Sequence, residues 1–129
     1  MKANELMLDD WVAFPHGRER VQELSYIQGH GYCASFASSA ALFSVEVEKL
    51  EPIPLTGEVL EKNGWYIPDL YLWYRHNSVP FLISEKGGNL FCLYADSEHD
   101  KREFFCTINY VHELQHALRL CGIDKEIIL

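Results

Sequence analysis

The sequence predicts an α+β protein built from two consecutive modules. Residues 1–50 read as an SH3-like small β-barrel or meander. Residues 51–129 read as a helix, a four-stranded antiparallel sheet and a C-terminal amphipathic helix. Three observations carry this. Between residues 8 and 50, short apolar segments alternate with Pro, Gly and Ser turns, and no helix-period stretch competes. Glu51-Pro52-Ile53-Pro54 forbids helix and marks a boundary. From Tyr110 to Cys121, apolar residues recur at helical spacing. A chain of 129 residues, 48 % of them apolar, can fill a real core, which excludes a disordered chain and favours the two modules packing as one unit.

In the first module, Trp11 to Phe14 is a strand, and Pro15-His16-Gly17-Arg18 turns the chain. Val21 to Ile27 is a second strand whose imperfect alternation suggests a bulge. Gly29-His30-Gly31 turns into a third strand, Tyr32 to Ala37. Ser38-Ser39 leads to a fourth, Leu42 to Val47, where Phe43, Val45 and Val47 alternate with Ser44, Glu46 and Glu48. Closure into a small barrel would hide the edges of such a meander.

In the second module, Thr56 caps a short helix that runs to Asn63, with Leu55 and Leu60 spaced as a hydrophobic staple. Gly64 and Trp65 fit a Schellman stop. Strands follow at Leu70–His76, Val79–Glu85, Leu90–Ala95 and Glu103–Ile108, apolar on both faces, so both faces must be covered. The last helix runs from about Asn109 to Cys121, with Tyr110, Val111, Leu114, Ala117, Leu118 and Cys121 on one stripe. Gly122 and Ile123 close it as a second Schellman cap, and Glu126 to Leu129 suggests a short terminal strand.

The net charge is −8, divided equally between residues 1–55 and 56–129. Nucleic-acid binding needs clustered Lys and Arg, and a negative field disfavours anionic membrane surfaces. No apolar run is long enough to span a bilayer, and no secretion-like segment follows Met1, so the expected location is cytoplasmic. Cys33, Cys92, Cys106 and Cys121 form no C-x-x-C pair and read as buried free thiols.

One motif could carry chemistry. His112-Glu113-Leu114-Gln115-His116 is an H-E-x-x-H sequence. Two His four apart on a helix can reach one zinc, and the Glu can take a proton from zinc-bound water. Its likeness to zinc peptidases stops at these five residues. A third ligand is required; where the extended zinc-peptidase motif has a Gly and then a third His, this chain has Arg119 and Gly122, and Asp124 and Glu126 lie beyond the helix. Opposite the apolar stripe, His112 and His116 are expected to face solvent.

Other candidates are weaker. Cys33 and His30 are a conceivable nucleophile–base pair across a turn, without an orienting third group. Glu46 and Glu48 share a strand face toward water. Asp96-Ser97-Glu98-His99-Asp100 lacks the glycine pivot of a calcium loop. The aromatic set Trp65, Tyr66, Tyr71, Trp73 and Tyr74 reads as packing between the halves, or as a partner surface in which Tyr71 and Trp73 are the contact residues.

Pro52-Ile53-Pro54-Leu55-Thr56, Glu58 to Gly64, and Tyr110-Val111-His112-Glu113-Leu114-Gln115 resemble a group of small proteins common in gut-bacterial genomes, often in phage-like or mobile regions. The likeness spans about residues 50–122. It follows an I-P-L-T … Y-V-H-x-L-Q pattern, of which Glu113 and His116 are not part. No activity attaches to that group, so it transfers no catalytic residue.

The reading that follows is a non-enzymatic binding or accessory protein of a phage or mobile element, without cofactor, using a protein partner or self-association. The alternative is a minimal zinc-dependent hydrolase with His112 and His116 as ligands and Glu113 as base. A nucleic-acid accessory role is the third reading, and the charge opposes it.

Overall fold

In the computed structural model, residues 1–15, 17–36, 44–68, 73–96 and 102–129 are described. The chain divides into two compact units, Met1–Ile53 and Pro54–Leu129.

The first unit is an antiparallel meander. Its strands are β1 (Trp11–Phe14), β2 (Gly17–Ile27), β3 (Gly31–Phe36), β4 (Ser44–Glu46) and β5 (Glu51–Pro52). They lie in the order β4-β3-β2-β1-β5. The register of β2 on β3 shifts between Val21 and Glu23, which is the bulge that the broken alternation suggested. β2 also starts four residues earlier than its apolar pattern indicates, because Gly17 to Arg20 pair with β1 despite their polar side chains. The expected start of the fourth strand at Leu42 and Phe43 lies outside the described residues, and the strand ends one residue earlier than expected. Val47–Lys49 form a 3-10 turn instead, which takes Val47 into the core and leaves Glu48 exposed off the strand. The Pro-rich connector contributes β5, since Glu51 and Pro52 pair with Ala13 and Val12. Pro52 is tolerable because β5 is an edge strand. β4 and β5 occupy opposite edges and do not pair with each other, so the pairing shows an open five-stranded sheet rather than a closed barrel. Its core is Leu6, Val12, Val21, Ala34, Phe36, Val47 and Leu50.

The second unit holds α1 (Gly57–Lys62), the strands β6 (Trp73–His76), β7 (Val79–Glu85), β8 (Phe91–Asp96) and β9 (Arg102–Ile108), and α2 (Val111–Leu120). The four strands form an antiparallel sheet in sequence order. Thr56 Oγ1 accepts a hydrogen bond from the Val59 amide at 3.2 Å, which is the expected cap of α1. Both helices end in Schellman motifs. The amides of Trp65 and Gly64 donate to the carbonyls of Leu60 and Glu61, and those of Ile123 and Gly122 to Leu118 and Arg119. Gly64 (φ +92°) and Gly122 (φ +70°) supply the left-handed backbone this turn requires.

Cross-strand neighbours share a face. One face of the sheet carries Tyr74, Phe81, Ile83, Phe91, Leu93 and Ile108, all buried. The Gly57 backbone of α1 approaches Tyr74 so closely that a Cβ there would lie 2.6 Å from its hydroxyl. The other face carries Trp73, Leu82, Ser84, Cys92, Tyr94 and Phe104. Leu82, Ser84 and Cys92 are buried, whereas Phe104 is 59 % exposed. The expected terminal strand at 126–129 does not form. That segment is held instead by Asn63. Its Nδ2 donates to Ile128 O at 2.7 Å, and its Oδ1 accepts from the Ile128 amide at 2.7 Å. One side-chain amide thus replaces a strand neighbour, and Ile127 is buried beside it.

Candidate functional site

The H-E-x-x-H segment lies on α2, with a different division of labour from the one its spacing suggests. Glu113 is the third helical residue, and its Oε1 accepts from the amides of Asn109 (3.0 Å) and Tyr110 (3.1 Å). The carboxylate satisfies two donors at the helix start, where the dipole also favours negative charge. It is directed at its own backbone rather than at a catalytic water.

The expectation that both histidines face solvent is corrected for His112, which is 6 % exposed, and Gln115 is buried at 7 %. Tyr110 and Cys121, assigned to the apolar stripe, are exposed instead. The reason is geometric. The buried positions Val111, His112, Leu114, Gln115, Ala117 and Leu118 cover an arc of roughly 220° at 100° per residue, so the inner surface includes polar positions. The His112 ring stacks on Tyr110 (centroids 5.9 Å apart) and meets His116 edge-on at 5.5 Å. Among the described residues, no three His, Cys, Asp or Glu side chains come together as a ligand set. A structural or catalytic zinc needs at least three. His99 and most of the 96–100 loop lie outside the described residues.

The thiols divide by depth. Cys33 and Cys92 are buried, Cys106 is partly buried, and Cys121 is exposed, against the expectation that all four are interior. Burial pushes the Cys106 thiol above its ordinary pKa, and the nearby Glu113 carboxylate adds to this. A thiol held protonated is a poor nucleophile.

In the first unit the structure supplies what the Cys33–His30 pair lacked in sequence. Glu46 is the cross-strand partner of Cys33, and His30 Nδ1 lies 3.2 Å from Glu46 Oε1. Lys49 Nζ approaches the same oxygen at 3.5 Å. The hydrogen bond to His30, followed by the charge of Lys49, holds the Glu46 carboxyl below its usual range. Cys33 Sγ nonetheless points to the Gly31 carbonyl at 3.7 Å and is 3 % exposed. The three side chains line one concavity without forming a nucleophile–base relay.

The aromatic set separates into core and surface. Trp65 is 1 % exposed and packs edge-on against His76 at 4.7 Å. Tyr74 is buried, whereas Tyr66 is exposed and its hydroxyl lies 3.0 Å from Asn77 Oδ1. Tyr71 lies outside the described residues. Trp73 stands in a ladder of rings. Tyr94 meets it edge-on at 4.6 Å, and Phe104 meets Tyr94 at 5.7 Å. The Arg102 guanidinium sits 4.7 Å from the Trp73 ring centroid, and Lys86 Nζ lies 6.0 Å away. Sequence reading found Trp73 but missed Phe104, Tyr94 and Arg102. With Trp73 they come from three strands, β6, β8 and β9, brought to one face by pairing register, and no local pattern marks them.

Among the described residues, no helix is long and apolar enough to cross a membrane. Comparison with known proteins finds no matching family model, no similar curated protein and no similar solved structure.

Proposed function

We propose that this chain is a non-enzymatic protein-binding module whose contact surface is the Trp73–Tyr94–Phe104 ladder together with the neighbouring edge strand β9. The observation that carries this reading is the exposure of two consecutive large apolar side chains on that edge, Phe104 at 59 % and Phe105 at 46 %. An edge strand presents unpaired backbone groups to any incoming strand, and proteins normally blunt such edges with charge, Pro or bulges. β9 has a register shift at Phe105 and begins with the charged Arg102 and Glu103, and after these charges it still presents aromatic rings, with Arg102 stacked on Trp73. Tyr, Trp, Phe and Arg are the side chains that protein interfaces concentrate. The partner this surface fits is a protein segment with an apolar centre and carboxylates at its margin.

The first unit supports a supporting-scaffold role. The meander order, the bulged 11-residue β2 and the 3-10 turn between β4 and β5 support an SH3-like reading of this unit, although its two edge strands do not pair with each other. Such a plan hosts many unrelated functions and assigns none by itself.

The test is site-specific photocrosslinking in cells that encode the protein, with a benzophenone amino acid at position 104 and, as control, at Leu120, which is 82 % exposed at the end of α2. The expected result is a discrete adduct from position 104, to another protein or to a second protomer, that weakens when Trp73 is changed to Ala. Adducts from position 104 no more abundant than those from position 120 would overturn the proposal.

A further inference from the structure

A second site belongs to the first unit, whereas the aromatic ladder belongs to the second. Phe14, Pro15, Ile27, Cys33 and Val45 line a concavity of about 610 Å³, and Glu46, His30 and Lys49 supply polar parts of the same lining. We propose that this concavity binds a small amphipathic amine: an aromatic or aliphatic group that carries a primary ammonium.

The size falls within the range of small-molecule sites, which combine an apolar lining with a few polar groups that fix orientation. The apolar wall is held in place from behind. Phe14 stacks on Phe36 with centroids 5.0 Å apart and planes 18° from parallel, and Phe36 is a buried core residue. The ring therefore presents a fixed surface, which lowers the ordering cost of binding.

The polar group is the Glu46 carboxylate. His30 Nδ1 at 3.2 Å and Lys49 Nζ at 3.5 Å both approach its Oε1, and a further donor would be taken by Oε2. His30 and Lys49 are themselves 63 % and 67 % exposed, so their contacts with Glu46 are surface pairs that a ligand ammonium can share or replace at little cost. The depressed pKa of Glu46 keeps it ionised at neutral pH. The surrounding unit is acidic, with eight Asp and Glu against four Lys and Arg between residues 1 and 53, and its field draws cations and repels carboxylates.

The test is a titration of the whole protein with phenethylamine, followed by amide chemical shifts, beside 3-phenylpropionate as the isosteric acid. Phenethylamine is expected to give saturable shifts in residues 27–33 and 44–46, and 3-phenylpropionate to bind at least about tenfold more weakly. Glu46→Gln, a substitution at a half-exposed position, is expected to weaken phenethylamine about tenfold without changing the fold. Absence of saturable shifts up to about 50 mM ligand, weaker than any specific millimolar site, would overturn the proposal. So would equal binding of the acid, or affinity unchanged by Glu46→Gln. None of these outcomes bears on the ladder in the second unit.

Discussion

Asn63 gives the sharpest test of how the second unit is held together. Its side chain is 6 % exposed and makes three hydrogen bonds. Nδ2 donates to Val59 O at 2.8 Å and Ile128 O at 2.7 Å, and Oδ1 accepts from Ile128 N at 2.7 Å. Two of these bonds join residues 65 positions apart, so they are the polar clasp between the end of α1 and the C-terminal segment. Each neutral bond contributes about 1 kcal/mol net, and deleting one partner adds the cost of stranding the other. Ile128 is 55 % exposed, so water can reach part of its backbone and moderates that cost. Asn63→Ala is therefore expected to cost about 2–4 kcal/mol, which lowers Tm by roughly 10 °C in a domain of this size. Asn63→Asp is expected to cost at least as much at pH 7. It keeps the acceptor but sets a carboxylate oxygen against two carbonyl oxygens. That excess should shrink in acid, where a protonated carboxyl can donate. The assays are urea denaturation and hydrogen exchange of the Ile128 amide. A loss below about 0.5 kcal/mol in the alanine variant, with the Ile128 amide still protected, would refute the clasp.

Three further predictions rest on named contacts. Glu113→Ala should cost about 1–2 kcal/mol through the two orphaned amides of Asn109 and Tyr110, and Glu113→Gln less, because it keeps an acceptor. Unchanged urea midpoints in both variants, with zinc bound stoichiometrically by the parent, would instead favour the hydrolase reading. Gly64→Ala should cost at least about 1–2 kcal/mol, from the φ of +92° and from a Cβ placed 2.8 Å from His76 Nε2; wild-type stability would contradict it. His76 should make stability fall in acid. Its Nδ1 accepts from the Ser78 amide at 3.0 Å, so the folded state needs the neutral ring, whose Nε2 donates to Asn63 O. Burial, and then Lys125, hold its pKa below the ordinary 6.5. The unfolded chain therefore takes up the proton first. Stability is full above about pH 6.5 and declines as pH falls toward the folded-state pKa. The gap between urea midpoints at pH 7.5 and 5.0 should narrow in His76→Gln, and an unchanged gap would exclude this cause.

Local chemistry wrote much of the second unit into the sequence. Thr56, Gly64 and Gly122 mark helix ends because capping and left-handed backbone depend on one or two residues. The bulge in β2 was legible for the same reason, as a fault in an otherwise regular alternation. The fourth strand was less so. Val45 and Val47 are two apart, which suits a strand, yet Val47 reaches the core from a 3-10 turn. Alternation records which residues are buried and not which backbone geometry buries them.

What the sequence determined by itself is the α+β class, the turns and caps that fall among the described residues, and the presence of an H-E-x-x-H spacing on a helix. Tertiary structure alone decided what that motif does. Burial over more than half of α2 took His112 inside, and two amides at the helix start claimed Glu113. It also decided the surfaces. Trp73, Tyr94 and Phe104 meet through strand register, and Glu46 meets His30 across 16 residues of chain. Caps and turns are settled within a few neighbours, whereas a site depends on which distant segments pair, and that is fixed only when the whole core packs.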